Sequence, residues 1–299
     1  MNKAELLNKL AEFNIRPGKH FGQNFMTDEN MLDFIYRKTD PRPGELILEV
    51  GPGFGALTEK LLASGANVIS VELDKRLYEF LKKNMRSENF TLVCGDACRI
   101  DIDAIICEFR RSGQDFPAWR CVANLPYSIS TPFMAQLLKM RNPPQEMFFM
   151  LQKETAERFI AKPRTKEYGA ISVMVQAMFS TEILRTVPPQ VFFPPPKVES
   201  ALARFKLKNM SEHERERIRE LSPLAKLAFS HRRKKLSSNL ASSYTKDSIL
   251  EAFDAIHVGP DVRAEELELV KFINMLRHLI RSPLDSTKKN SEDSRQNPE

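Results

Sequence analysis

The sequence predicts an α/β fold, a parallel, doubly wound sheet covered on both faces by helices, with a small all-helical domain after it. Three observations carry this. Short apolar runs alternate with amphipathic stretches from residue 45 onward. A glycine-rich stretch, Glu49–Gly55, separates the first apolar run from the helical pattern that follows it. Near Lys208 the alternation stops, and the later segments up to Pro283 carry helical spacing.

The elements follow in order. Lys3, Glu5, Lys9 and Glu12 among Leu6, Leu7, Leu10 and Phe13 form an amphipathic helix pattern without the apolar stretch of a secretory signal. Leu46–Leu48 reads as a strand, and Leu57, Leu61 and Leu62 as the buried side of the next helix. Asn67–Val71 is a second strand that leads into Leu77, Phe80 and Leu81 at helical spacing. Thr91–Val93, Trp119–Ala123 and Met147–Leu151 are three more strands. Glu182–Val187 and Val198–Leu207 are two further strands, joined by the rigid segment Phe192–Lys197. The helical part runs from Glu212–Leu221 through Leu224–Phe229 and Ser248–Phe253 to a last helix, Ala264–Arg281. Ser286–Glu299 is charged and without apolar periodicity, which predicts a disordered tail. The expected domains are therefore an N-terminal segment 1–26, an α/β domain 27–208, a helical domain 209–283 and a tail 284–299. Met140, Met147, Met150, Met174 and Met178 read as core filling.

At 299 residues, 42% hydrophobic and 28% charged, the chain is of ordinary globular composition, and no apolar run is long enough for a membrane span. Its four cysteines lack a paired C-x-x-C spacing, which argues against a disulfide framework or a zinc site and for the cytoplasm. A formal charge of +6 permits a polyanionic partner without demanding one.

Four strand ends carry the chemistry. Gly51, Gly53 and Gly55 at alternate positions let the chain turn sharply beside a ligand, but the spacing is not that of a dinucleotide site. Glu49, just before them, suits a cationic ligand better than a phosphate. Glu72 closes the second strand, where it can accept both hydroxyls of a ribose; Asp96 follows the third, placed to accept from an adenine amine. Taken singly, each acid reads as a helix N-cap or a solvated turn. Together with Asn124-Leu125-Pro126-Tyr127 on the fourth strand they make a site for S-adenosylmethionine beside an amine-handling turn. An exocyclic amine on a nucleobase is a poor nucleophile, and two acceptors aimed at its N–H bonds favour a more pyramidal nitrogen. The Asn124 amide oxygen offers one acceptor and the carbonyl of Leu125 or Pro126 a second, while Pro126 fixes the backbone and Tyr127 offers a face for stacking. The reaction this suits is direct attack of the amine on the sulfonium methyl, with no metal and no covalent intermediate. Arg232, Arg233 and Lys234, continued by Lys235, form the strongest basic run; it reads as a solvated helix start or, given such a site, as an RNA contact.

In these motifs, and in Lys19–Phe25, Ser128–Pro132, Phe192–Ser200 and Phe229–Leu236, the chain resembles the ribosomal RNA adenine N6,N6-dimethyltransferases of the small-subunit (16S) type. The resemblance runs from about Arg16 to Arg281. It implies a Rossmann-like class I S-adenosylmethionine-dependent methyltransferase sheet with a helical RNA-binding domain. It implies that Gln23, Asn24 and the backbone at Met26 close over the cofactor, that Gly51 and its loop, including Gly53, lie against the methionine part, and that Glu72 and Asp96 hold ribose and adenine. It further implies that Asn124 orients the target amine and that Tyr127 and Phe192 sandwich the base. The family commonly has Leu at Met26, where only the main chain is used, and Thr at Lys235, where the change adds charge. The implied substrate is a pair of adjacent adenosines in the 3′-terminal hairpin loop of 16S ribosomal RNA, in a small-subunit (30S) precursor. A monomer is the expected state, without membrane or metal. Two rivals remain at this point: a methyltransferase of large-subunit ribosomal RNA, and an assembly factor that binds RNA without turnover.

Overall fold

The computed structural model describes residues 1–18, 22–111 and 118–279. The chain divides into two compact units, one of Met1–Glu157 with Phe179–Lys208, the other of Arg158–Met178 with the residues from Asn209 onward. Residues 158–178 thus group with the helical unit, although in sequence they lie within the 27–208 stretch. The expected tail, with Ile280 and Arg281, lies outside the described residues.

In the first unit, helix α1 is Lys3–Glu12, strand β1 Phe25–Met26 and α2 Glu29–Thr39. The α/β alternation then runs β2 Leu46–Val50, α3 Ala56–Ala63, β3 Asn67–Glu72, α4 Lys75–Asn84, β4 Phe90–Cys94, α5 Ile102–Arg111, β5 Trp119–Asn124, α6 Ser130–Leu137 and β6 Glu146–Gln152; α7, Lys153–Ile160, leads out of this unit, its residues from Arg158 onward grouping with the second. Helix α8, Ala170–Met178, belongs to the second unit; β7 Phe179–Val187, β8 Phe192–Phe193 and β9 Ser200–Leu207 return to the first.

Seven strands form one sheet in the order β4-β3-β2-β5-β6-β9-β7. The first five pair in parallel, and every residue of β2 and β3 is buried, as a sheet covered on both faces requires. The last two strands depart from the all-parallel expectation: β9 is antiparallel to both β6 and β7. No long helix lies between β7 and β9, and without a crossover a returning strand can only pair antiparallel. The methionines Met140, Met147 and Met150 are buried in this unit. The order also puts a switch point between β2 and β5. From β2 the chain proceeds outward through β3 to β4, then crosses back to β5 on the other side, which opens a crevice at the carboxyl ends of the strands.

The helical unit is built on α9, Glu212–Ala228, which runs unbroken through Pro223, where the spacing suggested two helices. A proline costs an interior helix about 3 kcal/mol. The Ser211–Glu214 capping box and burial of Leu221, Leu224, Ala225 and Ala228 offset that here. Helices α10 Leu236–Leu240, α11 Lys246–Ala255 and α12 Leu269–Leu276 complete it. The single last helix expected over 264–281 is instead a 3-10 turn at Ala264–Glu266, an extended pair Leu267-Glu268, and then α12. The carbonyl of Leu267 accepts the hydroxyl of buried Tyr168 at 3.0 Å, a bond that competes with helix formation there. Phe229 stacks on Phe272 and meets Tyr168 edge-on.

Candidate active site

The crevice at the switch point is a cavity of about 170 Å³ within the first unit. Register fixes what meets there. Val50 pairs with Ala123 and Glu72 with Cys94, so the ends of β4, β3, β2 and β5 stand side by side. At about 4.8 Å between neighbours these ends span roughly 14 Å. In spatial order they present Asp96, Glu72, the glycine loop and Asn124, all lining the cavity.

The glycine loop is shaped by backbone that other residues adopt poorly. Gly51 and Gly53 have φ of 69° and 62°, in the left-handed region. A side chain on Gly53 would stand 3.1 Å from the ring of Phe25, so a bare Gly53 lets the segment that carries Phe25 lie close over the loop without displacing that ring. Beneath the loop Glu49 is 2% exposed, and one carboxylate oxygen, Oε2, accepts from both the Thr58 hydroxyl (2.6 Å) and the Ser70 hydroxyl (2.7 Å). Glu72 is 5% exposed; its Oε2 accepts from the Gly53 N–H at 3.3 Å and its Oε1 from the Asp74 N–H at 2.8 Å. Burial pushes each of the two carboxyls up to about 7. Asp96 bends back to accept from the Cys98 N–H at 2.9 Å.

Three acids line the cavity, and no Lys, Arg or His among the described residues does. Two of these acids, Glu49 and Glu72, are buried, and the Met1 ammonium, whose residue also lines the cavity, is taken by Glu29, so the pocket is matched to a ligand that brings its own positive charge and hydroxyl donors. S-adenosylmethionine brings both, and the row of strand ends suits its elongated shape.

The tetrapeptide supplies the other wall. Asn124 donates from Nδ2 to the carbonyl of Asn24 at 2.9 Å, the sole hydrogen bond of its side chain among the described residues, which leaves the amide oxygen as the free end. The carbonyl of Pro126 is taken by the Ile129 N–H (3.0 Å) and approached by the Ser130 hydroxyl (3.5 Å). That of Leu125 accepts no hydrogen bond among the described residues, which favours it as the second acceptor. The Tyr127 hydroxyl lies 2.7 Å from that of Ser200, and burial raises its pKa, so the ring is the part of Tyr127 left to act.

Three sequence-assigned residues differ from expectation, Phe192 in where its ring lies, Gln23 and Arg232 in how their side chains are already bound. Phe192 is 3% exposed and packed in the core with Met26, Leu32 and Ile35, because its pairing opposite Met26 turns it inward; its ring is not open to a base. Gln23 lines the cavity, but both ends of its carboxamide are spent: Oε1 accepts from the Gly18 N–H and Nε2 donates to Asp74. Arg232, in the helical unit, donates to the Glu265 carboxylate (3.0 Å) and to the carbonyls of Thr165 (3.2 Å) and Lys166. Arg233 and Lys234 are exposed. Arg164, Lys166, Arg232, Arg233 and Arg263 line one cavity of the helical unit against a single acid, Glu265. The sequence reading missed Asp74, although an acid directly before an amphipathic helix is an N-cap signature.

The family model described as ribosomal RNA adenine dimethylase matches residues 14–280. The chain is similar to Ribosomal RNA small subunit methyltransferase A of Pseudomonas syringae pv. syringae, 40% identical over 265 residues, 88% of this chain and 95% of that protein. It is similar to the protein of the same name from Ureaplasma parvum serovar 3, 36% identical over 283 residues, 94% of this chain and 100% of that one. Among solved structures, a dimethyladenosine transferase from Plasmodium falciparum superposes with a TM-score of 0.69 at 24% identity, covering 89% of this chain and 98% of that chain. The 23S rRNA methyltransferase ErmE gives 0.62 at 23% identity, covering 86% and 99%; these two likenesses are of fold.

Proposed function

The chain belongs to the ribosomal RNA adenine dimethylase family and is an S-adenosylmethionine-dependent adenine dimethyltransferase, and from that premise we propose how and where it acts. Its target is the N6 amines of two adjacent adenosines in the 3′-terminal hairpin loop of 16S ribosomal RNA, within a small-subunit (30S) precursor. It acts as a cytoplasmic monomer in small-subunit biogenesis. The names of its relatives at 36–40% identity support the small subunit over the large. No helix among the described residues is long and apolar enough to cross a membrane.

The observation that carries the reading is one cavity in which buried carboxylates and a free amide oxygen face each other across the glycine loop. Bound there, S-adenosylmethionine supplies a methyl group on a positively charged sulfur. Glu72 would take the ribose hydroxyls, Asp96 the adenine amine, and Gly51, Gly53 and the main chain of Asn24 and Met26 the methionine part. Glu49 adds a negative charge beneath the loop. On the target side the Asn124 oxygen and the Leu125 carbonyl accept from the amine hydrogens and stabilise the positive charge that develops on the nitrogen. Tyr127 holds the base by its ring face. Its hydroxyl is not needed as a base, because an alkylated amine is acidic enough to lose its proton to water. A loop adenosine suits such a pocket, since a duplex base would first have to leave the stack. Arg233 and Lys234, with Arg164, Lys166 and Arg263, would grip phosphates, and Arg232 would hold their loops in shape.

Mass spectrometry of ribosomal RNA from a strain lacking the gene tests the assignment. Dimethyladenosine should vanish from the small-subunit RNA. Its persistence there, or its loss from large-subunit RNA instead, overturns it. Purified protein should methylate small-subunit particles and leave protein-free large-subunit RNA unmodified.

A further inference from the structure

We propose that Asp74 is a positioning residue: its carboxylate latches the strap Gly22–Met26 beside the cleft and, through the strap, aims the Asn124 carboxamide at the target amine. This rests on the reading of Asn124 given above.

Asp74 is 3% exposed and stands two residues beyond Glu72. Its Oδ2 accepts from Gln23 Nε2 at 3.1 Å. The other end of that amide, Oε1, accepts from the Gly18 N–H at 2.9 Å, so one side chain pins two points of the N-terminal segment to the end of β3. One residue along, the Asn24 carbonyl holds Asn124 Nδ2. The two ends of a primary amide are close in size and differ in donor and acceptor character. Fixing the NH₂ end on a carbonyl therefore decides that oxygen faces the amine. With the strap lifted, no other hydrogen bond among the described residues orients that side chain.

The rest of the geometry agrees with a latch. Gly22 lies against the tetrapeptide, its added Cβ 3.5 Å from that of Pro126. The far end of the strap is held by pairing of Phe25 and Met26 with Phe193 and Phe192, and by the Thr27 N–H on the Val191 carbonyl. The Asp74 N–H donates to Glu72, which ties the ribose carboxylate and the strap to one residue. The Arg76 guanidinium, 2.6 Å away, keeps the carboxylate charged and a strong acceptor.

A simple N-cap role is the rival, because Oδ1 also accepts from the Arg76 N–H. Gln23→Leu separates the two, since it removes the latch and leaves the cap. It should lower kcat about tenfold with KM for S-adenosylmethionine changed less than about threefold. Its melting temperature should hold, and hydrogen exchange at the Gly18 amide should quicken. Asp74→Asn, which keeps an acceptor oxygen, should retain more turnover than Asp74→Ala. Wild-type kcat in Gln23→Leu overturns the latch, as does a loss confined to cofactor affinity. Asn124→Ala measured alongside tells which idea has failed. If it loses turnover while Gln23→Leu does not, only the latch is wrong; if both keep turnover, the reading of Asn124 is wrong.

Discussion

Burial separates the strand-end cleft from the basic turn of the helical unit. In the cleft the charged groups are acids, sunk beneath the glycine loop and held by hydroxyls and main-chain N–H groups. In the turn they are cations, most of them exposed, with one guanidinium spent on folding. Removing one group from the first site leaves neighbours unsatisfied in a medium where electrostatics are strong. Removing one from the second subtracts a screened charge from several. The cleft and the turn therefore differ in how concentrated their electrostatic energy is.

The cleft should give the largest effects. Asn124→Ala should cut turnover about a hundredfold or more, because an acceptor aimed at developing charge is worth that much in a sheltered site. Cofactor affinity should fall far less, and equal losses in both would break the distinction between the two walls of the cavity. Glu72→Gln should weaken S-adenosylmethionine binding roughly thirtyfold in calorimetry, the scale of hydrogen bonds to a charged acceptor. The same change should stabilise the cofactor-free protein at pH 8, because it removes a charge that burial penalises.

The cleft should also respond to pH. Burial raises the carboxyls of Glu49 and Glu72 from 4.5 to about 7. Between these values the folded protein holds more protons than the unfolded chain, so stability from these groups is complete below about pH 4.5 and lost as pH rises through about 7. At about 1.4 kcal/mol per pKa unit, the loss is on the order of a few kcal/mol. A cationic ligand favours the ionised forms, so cofactor affinity should rise over the same window with release of protons. Thermal melts and binding titrations between pH 5 and 8 should thus move in opposite directions; the absence of either trend would mean that these carboxylates already carry charge in the free protein.

Much of the cleft was legible because strand ends impose local demands. A loop that turns within a few residues needs glycine, and Glu72, Asp96 and Asn124 each stand at or just past the end of an apolar run, which brings them to one cavity. The helical rhythm and the first five strands were legible for the same local reason. What lay hidden depends on partners distant in sequence. Gln23 and Asp74 are 51 residues apart, and nothing near either announces the other. Phe192 and Phe193 are adjacent aromatics, and only pairing with β1 decides that Phe192 faces the core. The antiparallel return of β9 follows from a connection that lacks a helix, and β-propensity is silent about direction. In the basic run all cations look alike in sequence, although Arg232 alone reaches three acceptors across the fold.

The basic turn should give the smallest effects. Arg233→Ala should weaken RNA binding several-fold at low salt and reduce the salt slope of log affinity by about one, as the loss of one phosphate contact does. Its melting temperature should not move, since the side chain is exposed. Arg232→Ala should behave in the opposite way. It strands the Glu265 carboxylate and two carbonyls, and at 41% side-chain exposure solvent recovers part of that cost, leaving a destabilisation of about 1 kcal/mol. Its effect on RNA should appear as a displaced loop, weakening binding without a full unit change in salt slope. Arg232→Lys should rescue little, because one ammonium cannot hold three acceptors in the planar fork of a guanidinium. If the two alanine variants instead share one salt slope and one melting temperature, the turn is an undivided patch of charge, and its contrast with the cleft is one of burial alone.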